Sequence, residues 1–155
     1  MPCALCSRNR TDGKSRCPGC SCNGYYTDVC KVHHCCVEKK LEHCAECDLY
    51  PCKRLGNMTD FKDLNTNNVK RRTGETIKAD GFNSWYDEYT SRADMLTIAL
   101  EKYNDGRMKR YLCELFIQND VKILTEIMKT AEKLSGTAKE NGKQFKMIVE
   151  SILKH

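Results

Sequence analysis

Apolar residues in the C-terminal two-thirds of the chain recur at helical spacing. The pattern predicts a helix over about 67–79 that ends before Gly81, followed by a longer helix that runs from a cap at Asn83 to about Tyr103. Gly106 then interrupts the periodicity. The inward stripe of the longer helix consists of Trp85, Tyr89, Leu96, Leu100 and Tyr103.

Two further boundaries follow from capping signals. Asn119 or Asp120 begins a helix that stops at Gly136, and Thr137 with Glu140 forms a capping box at the start of the last helix. Cys113 has no cysteine neighbour and is predicted to be a packing residue. The inward residues before Gly136 are Met108, Tyr111, Leu112, Leu115, Phe116, Val121, Leu124, Ile127, Met128, Ala131 and Leu134; those after it are Phe145, Ile148, Val149, Ile152 and Leu153.

The first 55 residues show no such periodicity. Their apolar side chains are too few and scattered to offset the chain entropy by burial alone. One structural zinc ion can supply an apparent free energy of about 10–16 kcal/mol at neutral pH. We therefore expect metal, more than a hydrophobic core, to fold this segment.

These patterns predict a mainly α protein with two domains. Residues 1–55 form a small irregular cysteine-rich zinc module with knuckles and a short helix, and residues 56–155 form an α-helical bundle packed on it. The stretch 56–68 is rich in Asn and Asp and is predicted to be a docked connection.

Cysteine usage points to a reducing compartment. The chain has 12 cysteines, and all but Cys113 lie between Cys3 and Cys52. The first residues lack the apolar stretch of a secretory signal, and no apolar run approaches the roughly 20 residues that cross a bilayer. We therefore expect a soluble cytoplasmic protein without a membrane contact, in which the cysteines are metal ligands and not disulfides.

The formal net charge of +5 does not by itself indicate nucleic acid. Residues 1–55 carry nine basic and six acidic residues, and two tetrathiolate zinc sites of charge 2− would change this +3 to about −1. The remaining residues carry 17 basic and 15 acidic side chains in mixed order. Nucleic-acid binding is therefore a minor alternative.

The cysteine spacing predicts two closed tetrahedral zinc sites. Pairs with two intervening residues let both thiolates reach one ion, and a wider pair suits a loop that runs into a helix. Cys52 follows Pro51, which places its sulfur at the start of a helix, where a thiolate is favoured. Which pairs share an ion stays open, and Cys22 and Cys36 are surplus. The predicted ligands are Cys3, Cys6, Cys17, Cys20, Cys30, Cys35, Cys44, Cys47 and Cys52.

The same cysteines also suit an iron–sulfur cluster and soft-metal or thiol chemistry. An iron–sulfur cluster is the less favoured cofactor, since Cys17, Cys20 and Cys22 break the ferredoxin spacing. The adjacent Cys35 and Cys36 could bind a soft metal ion or perform thiol chemistry. The histidines at 33, 34 and 43 are possible ligands, but enough sulfurs are present without them.

The spacing of the cysteines resembles that of a known protein family. The spacing Cys30-x4-Cys35-x8-Cys44-x2-Cys47-x4-Cys52, with Tyr50-Pro51 before the last cysteine, resembles the prokaryotic domain of unknown function 3795. The resemblance extends to Cys17-Pro-Gly-Cys20 and, more weakly, to the stretch with Trp85 and to 100–107. It implies a zinc-binding protein without an assigned role. The family has a longer cysteine run at its start, and Cys22 and Cys36 match no family cysteine.

A structural zinc module that binds a protein partner is the function we favour from the sequence. All-cysteine sites are of the structural type, and no acid–base constellation has positional support. The alternatives are a thiol-dependent enzyme or soft-metal handler that uses the surplus cysteines, and a nucleic-acid-binding zinc protein. The sequence names no catalytic residue and gives no oligomeric state.

Overall fold

The computed structural model describes residues 2–19, 30–56 and 67–154, with the backbone alone at 67 and 68. These residues form seven α-helices and no β-strand, which confirms the predicted mainly α fold. The predicted connection 56–68 lies mostly outside the described residues. The helices are α1 Lys31–Glu38, α2 Lys53–Gly56, α3 Asn67–Asp80, α4 Phe82–Tyr103, α5 Lys109–Gln118, α6 Val121–Ala131 and α7 Ala138–Leu153.

The chain divides into two compact units, Met1–Asp87 and Glu88–His155. The first unit contains the cysteine segment, α1 to α3 and the beginning of α4. The second contains the rest of α4 and α5 to α7. The boundary predicted at residues 55 and 56 stays a prediction. None of the helices in the described ranges is both long and apolar enough to pass through a membrane.

The second unit is built around Tyr103, the last residue of α4. Its ring stacks on Phe145 of α7 with centroids 4.5 Å apart, and its hydroxyl donates a hydrogen bond to the carbonyl of Ala131 at the end of α6. Gly142 of α7 comes so close that a methyl group there would lie 2.7 Å from the Tyr103 carbonyl oxygen and 2.9 Å from Met108 Sδ. Glycine is thus the residue that lets α7 approach.

The predicted inward faces of α5 to α7 are largely confirmed. Cys113 is fully buried in α5, as expected of a packing residue. Leu153 is 45% exposed, so its predicted inward position is wrong. The buried members of these faces are Met108, Leu112, Leu115, Phe116, Leu124, Ile127, Ala131, Phe145 and Val149.

The capping predictions can be compared with the helix ends. The Asp120 side chain accepts a hydrogen bond from Ile123 N, and Thr137 and Glu140 form the reciprocal capping box, so both predictions are confirmed. The predicted cap at Asn83 is wrong, because α4 already begins at Phe82 after the left-handed Gly81 (φ 84°). The helix before Gly136 also ends early, at Ala131.

In the first unit, Tyr50 joins α3 to the segment that ends at Cys52. The Tyr50 hydroxyl donates a hydrogen bond of 2.7 Å to the carbonyl of Arg71, and its ring packs against Gly74. Lys78, one turn further along α3, donates to the Tyr50 carbonyl at 3.4 Å. These contacts hold α3 against the cysteine segment.

Candidate metal centre

Two Cys-x2-Cys turns of the first unit have the same backbone conformation. In each, the second cysteine donates its N–H to the carbonyl of the first, at 2.9 Å for Cys6 to Cys3 and at 3.0 Å for Cys47 to Cys44. The φ and ψ angles of the second cysteine are −89° and 131° in one turn and −80° and 132° in the other. The chain thus builds the same cysteine knuckle twice, at 3–6 and at 44–47.

The first knuckle lies beside Cys17, the first cysteine of the next predicted pair. The backbone N–H of Cys17 donates to the carbonyl of Arg8 at 3.0 Å, and the Asn9 side chain donates to the carbonyl of Cys17 at 2.9 Å. Gly19 follows in a left-handed turn, where an added methyl group would lie 3.7 Å from Cys3 Sγ. Cys20 and Cys22 lie outside the described residues. The geometry therefore groups Cys3 and Cys6 with the chain around Cys17.

Helix α1 carries Cys35 and Cys36 and ends in a Schellman motif. The N–H of Leu41 donates to the carbonyl of Cys36, and the N–H of Lys40 donates to the carbonyl of Val37. Lys40 has a φ of 55°, the left-handed conformation that this motif requires and that glycine usually supplies. The motif turns the chain back along α1 toward the second knuckle.

The second knuckle comes into contact with α1 through a pair of sulfurs. Cys36 Sγ and Cys44 Sγ lie 3.4 Å apart. Burial, the contact with Cys36 and the nearby thiols of Cys52 and Cys35 together raise the pKa of Cys44 to about 12. Without a cation the Cys44 thiol therefore keeps its proton, and a metal ion would have to displace that proton in order to bind.

Cys52 has the opposite electrostatic environment. It directly precedes α2, and its carbonyl accepts hydrogen bonds from the N–H groups of Leu55 and Gly56. The N–H of Leu55 is the largest influence that lowers the pKa of the Cys52 thiol, and Arg54 adds to it. The sequence prediction of a thiolate favoured by the start of a helix is in line with this lowered pKa.

Cys30, which precedes the second knuckle, and Cys47, which ends it, are the other described cysteines of this region. Cys30 directly precedes α1 and accepts the N–H of His34 on its carbonyl at 3.0 Å. Cys47 Sγ lies 3.6 Å from the ammonium of Lys39.

His43, which the sequence allows as a possible ligand, directly precedes Cys44 of the second knuckle. Its ring stacks on Phe82 with centroids 5.7 Å apart, and its Nε2 lies 3.4 Å from a carboxylate oxygen of Glu46. Its Nδ1 is buried and has no hydrogen-bond partner among the described residues. His33 and His34 are exposed on α1, in line with the sequence interpretation of these histidines.

Among the described residues, Cys35 and Cys52 lie near Cys44, but these sulfurs do not assemble a complete site. The described residues contain no group of three or more histidine, cysteine, aspartate or glutamate side chains arranged to hold one ion. None of the ten described cysteines is in a disulfide. The ligand set therefore stays a prediction. Cys44, a member of that set, is in sulfur–sulfur contact with Cys36, which lies outside it.

That contact can be compared with the geometry of a zinc site. Zinc–sulfur bonds of about 2.3 Å in a tetrahedron place two sulfurs about 3.8 Å apart. The separation of 3.4 Å between Cys36 and Cys44 is close to this value. The two thiols therefore fit an ion after a small outward movement.

The cysteine segment is the part of the chain that matches a known family model. Residues 2–57 match the model of a family described as "Protein of unknown function (DUF3795)". The weaker resemblance through Trp85 and 100–107 lies beyond the matched residues and stays a prediction. No curated protein and no solved structure matches the chain. The resemblance to the domain of unknown function 3795 that the cysteine spacing predicts is therefore confirmed over residues 2–57.

Proposed function

We propose that the cysteine segment is a structural zinc-binding module with two thiolate-ligated ions. One ion is bound by the first knuckle together with Cys17 and Cys20. The other is bound by sulfurs around the second knuckle, from the predicted set Cys30, Cys35, Cys44, Cys47 and Cys52. Bound zinc would cross-link segments that have little apolar core of their own.

The observation that carries this proposal is the repeated knuckle turn. Two stretches with different residues between their cysteines, Ala4-Leu5 and Ala45-Glu46, adopt one backbone conformation. In both, the residue three positions after the second cysteine also donates its N–H to that cysteine, from Asn9 to Cys6 and from Tyr50 to Cys47, each at 3.0 Å. Such turns orient two sulfurs toward a common ligand.

The proposed role of the module is to bind a protein partner in a reducing, cytoplasmic environment. Closed thiolate sites supply structural cross-links and not a reactive metal-bound water. The first unit also exposes large apolar side chains: Phe82 is 42% exposed and Tyr86 47% exposed, and their rings lie 5.8 Å apart. Aromatic side chains of this kind are enriched at protein interfaces.

The metal content tests the proposal directly. The full chain is purified anaerobically and analysed by native mass spectrometry together with elemental analysis. We expect two zinc ions per chain. A brown protein with absorbance near 400 nm would replace zinc by an iron–sulfur cluster, and a chain that binds neither metal would overturn the proposal.

Metal removal tests the structural role. Trp85, the single tryptophan, is buried in the first unit, so its fluorescence reports on that unit. A chelator should change this fluorescence, and zinc should restore it. A turnover that is lost with chelator and rescued by zinc would contradict the structural role. Nucleic-acid binding that weakens steeply with salt would favour the nucleic-acid alternative.

A further inference from the structure

We propose that Cys36, a cysteine outside the set predicted from spacing, is a zinc ligand that shares one ion with Cys44. This inference rests on the proposed zinc module and names one residue of its second site. It departs from the family resemblance, which aligns Cys35 and leaves Cys36 without a counterpart. The contact of 3.4 Å between the two sulfurs carries it.

The end of helix α1 explains why Cys36 faces the knuckle. The carbonyl of Cys36 accepts the N–H of Leu41 at 2.9 Å, the long hydrogen bond of the Schellman motif. The chain therefore reverses at Lys40, and the N–H of Leu41 returns to the carbonyl of the residue that carries the sulfur, so that 41–44 leads back past α1. Successive residues of an α-helix point about 100° apart, so Cys35 and Cys36 cannot face Cys44 in the same way.

The distance shows two reduced thiols in contact, which need to separate by only about 0.4 Å to fit a shared zinc ion. A disulfide requires an S–S separation of about 2.05 Å, whereas tetrahedral zinc requires about 3.8 Å. The observed 3.4 Å is nearer the zinc value. Binding of Zn²⁺ to the two thiols forms two Zn–S bonds and releases the two thiol protons to solvent, so no oxidant is consumed.

A set of single substitutions in the full chain tests the assignment. Cys36→Ser should lose one of the two zinc ions in native mass spectrometry when a competing chelator is present, while the other ion stays bound. The matched control is Cys113→Ala, which alters a buried cysteine of α5 and should keep both ions. Cys35→Ser should weaken retention of this zinc ion less than Cys36→Ser does. A Cys36→Ser chain that keeps both ions, or a larger loss from Cys35→Ser, would overturn the inference.

Alkylation of the wild-type chain gives a test that does not depend on folding of a variant. With zinc bound, Cys36 should react with iodoacetamide at least tenfold more slowly than after chelation, as mapped by peptide mass spectrometry. Equal reactivity in both states would overturn the inference, as would a Cys36–Cys44 disulfide in the zinc-loaded chain. A wild-type chain without zinc would instead refute the proposed function itself, so the two failures are distinguishable.

Discussion

The ring of Tyr50 occupies the space that a side chain at position 74 would need, so α3 and the second knuckle pack together through a glycine. An added methyl group at Gly74 would overlap the phenol ring, and the Tyr50 hydroxyl is already held by the carbonyl of Arg71 at 2.7 Å. Position 74 thus determines whether α3 can dock at this distance.

Gly74→Ala should destabilise the first unit. Overpacking of a tight contact costs about 1–3 kcal/mol, and the higher helix propensity of Ala offsets about 1 kcal/mol of that. We expect an earlier transition in urea unfolding followed by Trp85 fluorescence. Gly56→Ala is the control, because a methyl group at Gly56 meets nothing within 4 Å. Equal stability of the Gly74→Ala chain and the wild type would show that α3 does not dock through this glycine.

Lys40→Gly should stabilise the first unit. Lys40 adopts a left-handed conformation, which costs an L-residue roughly 1–2 kcal/mol, and the greater unfolded-state entropy of glycine cancels about 0.5–1 kcal/mol of the gain. The net gain should be near 1 kcal/mol or less in the same urea experiment. Lys31→Gly makes the same chemical change at the first residue of right-handed α1, where it should only destabilise. A loss of stability at both positions would argue against the Schellman motif.

The free energy of unfolding should fall at alkaline pH because the Tyr103 hydroxyl then ionises. Burial, with the nearby Glu132 carboxylate, raises the pKa of Tyr103 above its ordinary value of about 10. The contribution of Tyr103 to the free energy of unfolding is therefore complete below about pH 10. It is lost as the pH rises through the folded-state pKa, because the Tyr103 hydroxyl loses its proton first in the unfolded chain. Tyr103→Phe should lose about 1 kcal/mol at neutral pH with the hydrogen bond to Ala131, and should show a shallower alkaline decline.

The check on this prediction is urea unfolding monitored by far-UV circular dichroism between pH 8 and roughly 11. Tyr111, whose pKa is also raised by burial and by Glu150, should leave part of the decline in the variant. Identical alkaline slopes in the wild type and in Tyr103→Phe would refute the assignment to Tyr103.

Thr137→Ala should destabilise α7 by about 1 kcal/mol, because the Thr137 side chain accepts the N–H of Glu140 in the capping box. Thr130→Ala is the control, since that exposed hydroxyl only donates to the carbonyl of Glu126 within α6. Unfolding followed by circular dichroism should separate the two variants, and equal losses would argue against the cap.

The capping box of Thr137 and Glu140 also predicts that stability falls at acid pH. Hydrogen bonds from the N–H and the hydroxyl of Thr137 lower the pKa of Glu140, so its stabilising contribution is present above its ordinary pKa and is lost as the pH falls through the folded-state value. Glu140→Gln should remove this part of the acid dependence. If the stability of Glu140→Gln depended on acid pH in the same way as that of the wild type, this prediction would be contradicted.

The sequence by itself determined the helices and the knuckles. Periodic apolar residues and a capping box specify α5 to α7, because these signals act within one or two turns of chain. A Cys-x2-Cys spacing likewise specifies its own turn, and both described knuckles formed as predicted. The family resemblance came from the same local spacing.

Only the tertiary structure decided which sulfurs meet. The spacing Cys30-x4-Cys35 favoured Cys35 as the ligand. Two adjacent cysteines on a helix differ in direction, however, and the sequence does not say which of them faces the knuckle. The structure places the sulfur of Cys36 3.4 Å from that of Cys44 after the chain reverses at Lys40, and no glycine marks that left-handed residue in the sequence. The packing of Tyr50 against Gly74 was equally hidden, since it joins residues far apart in the chain whose contact depends on how α3 docks.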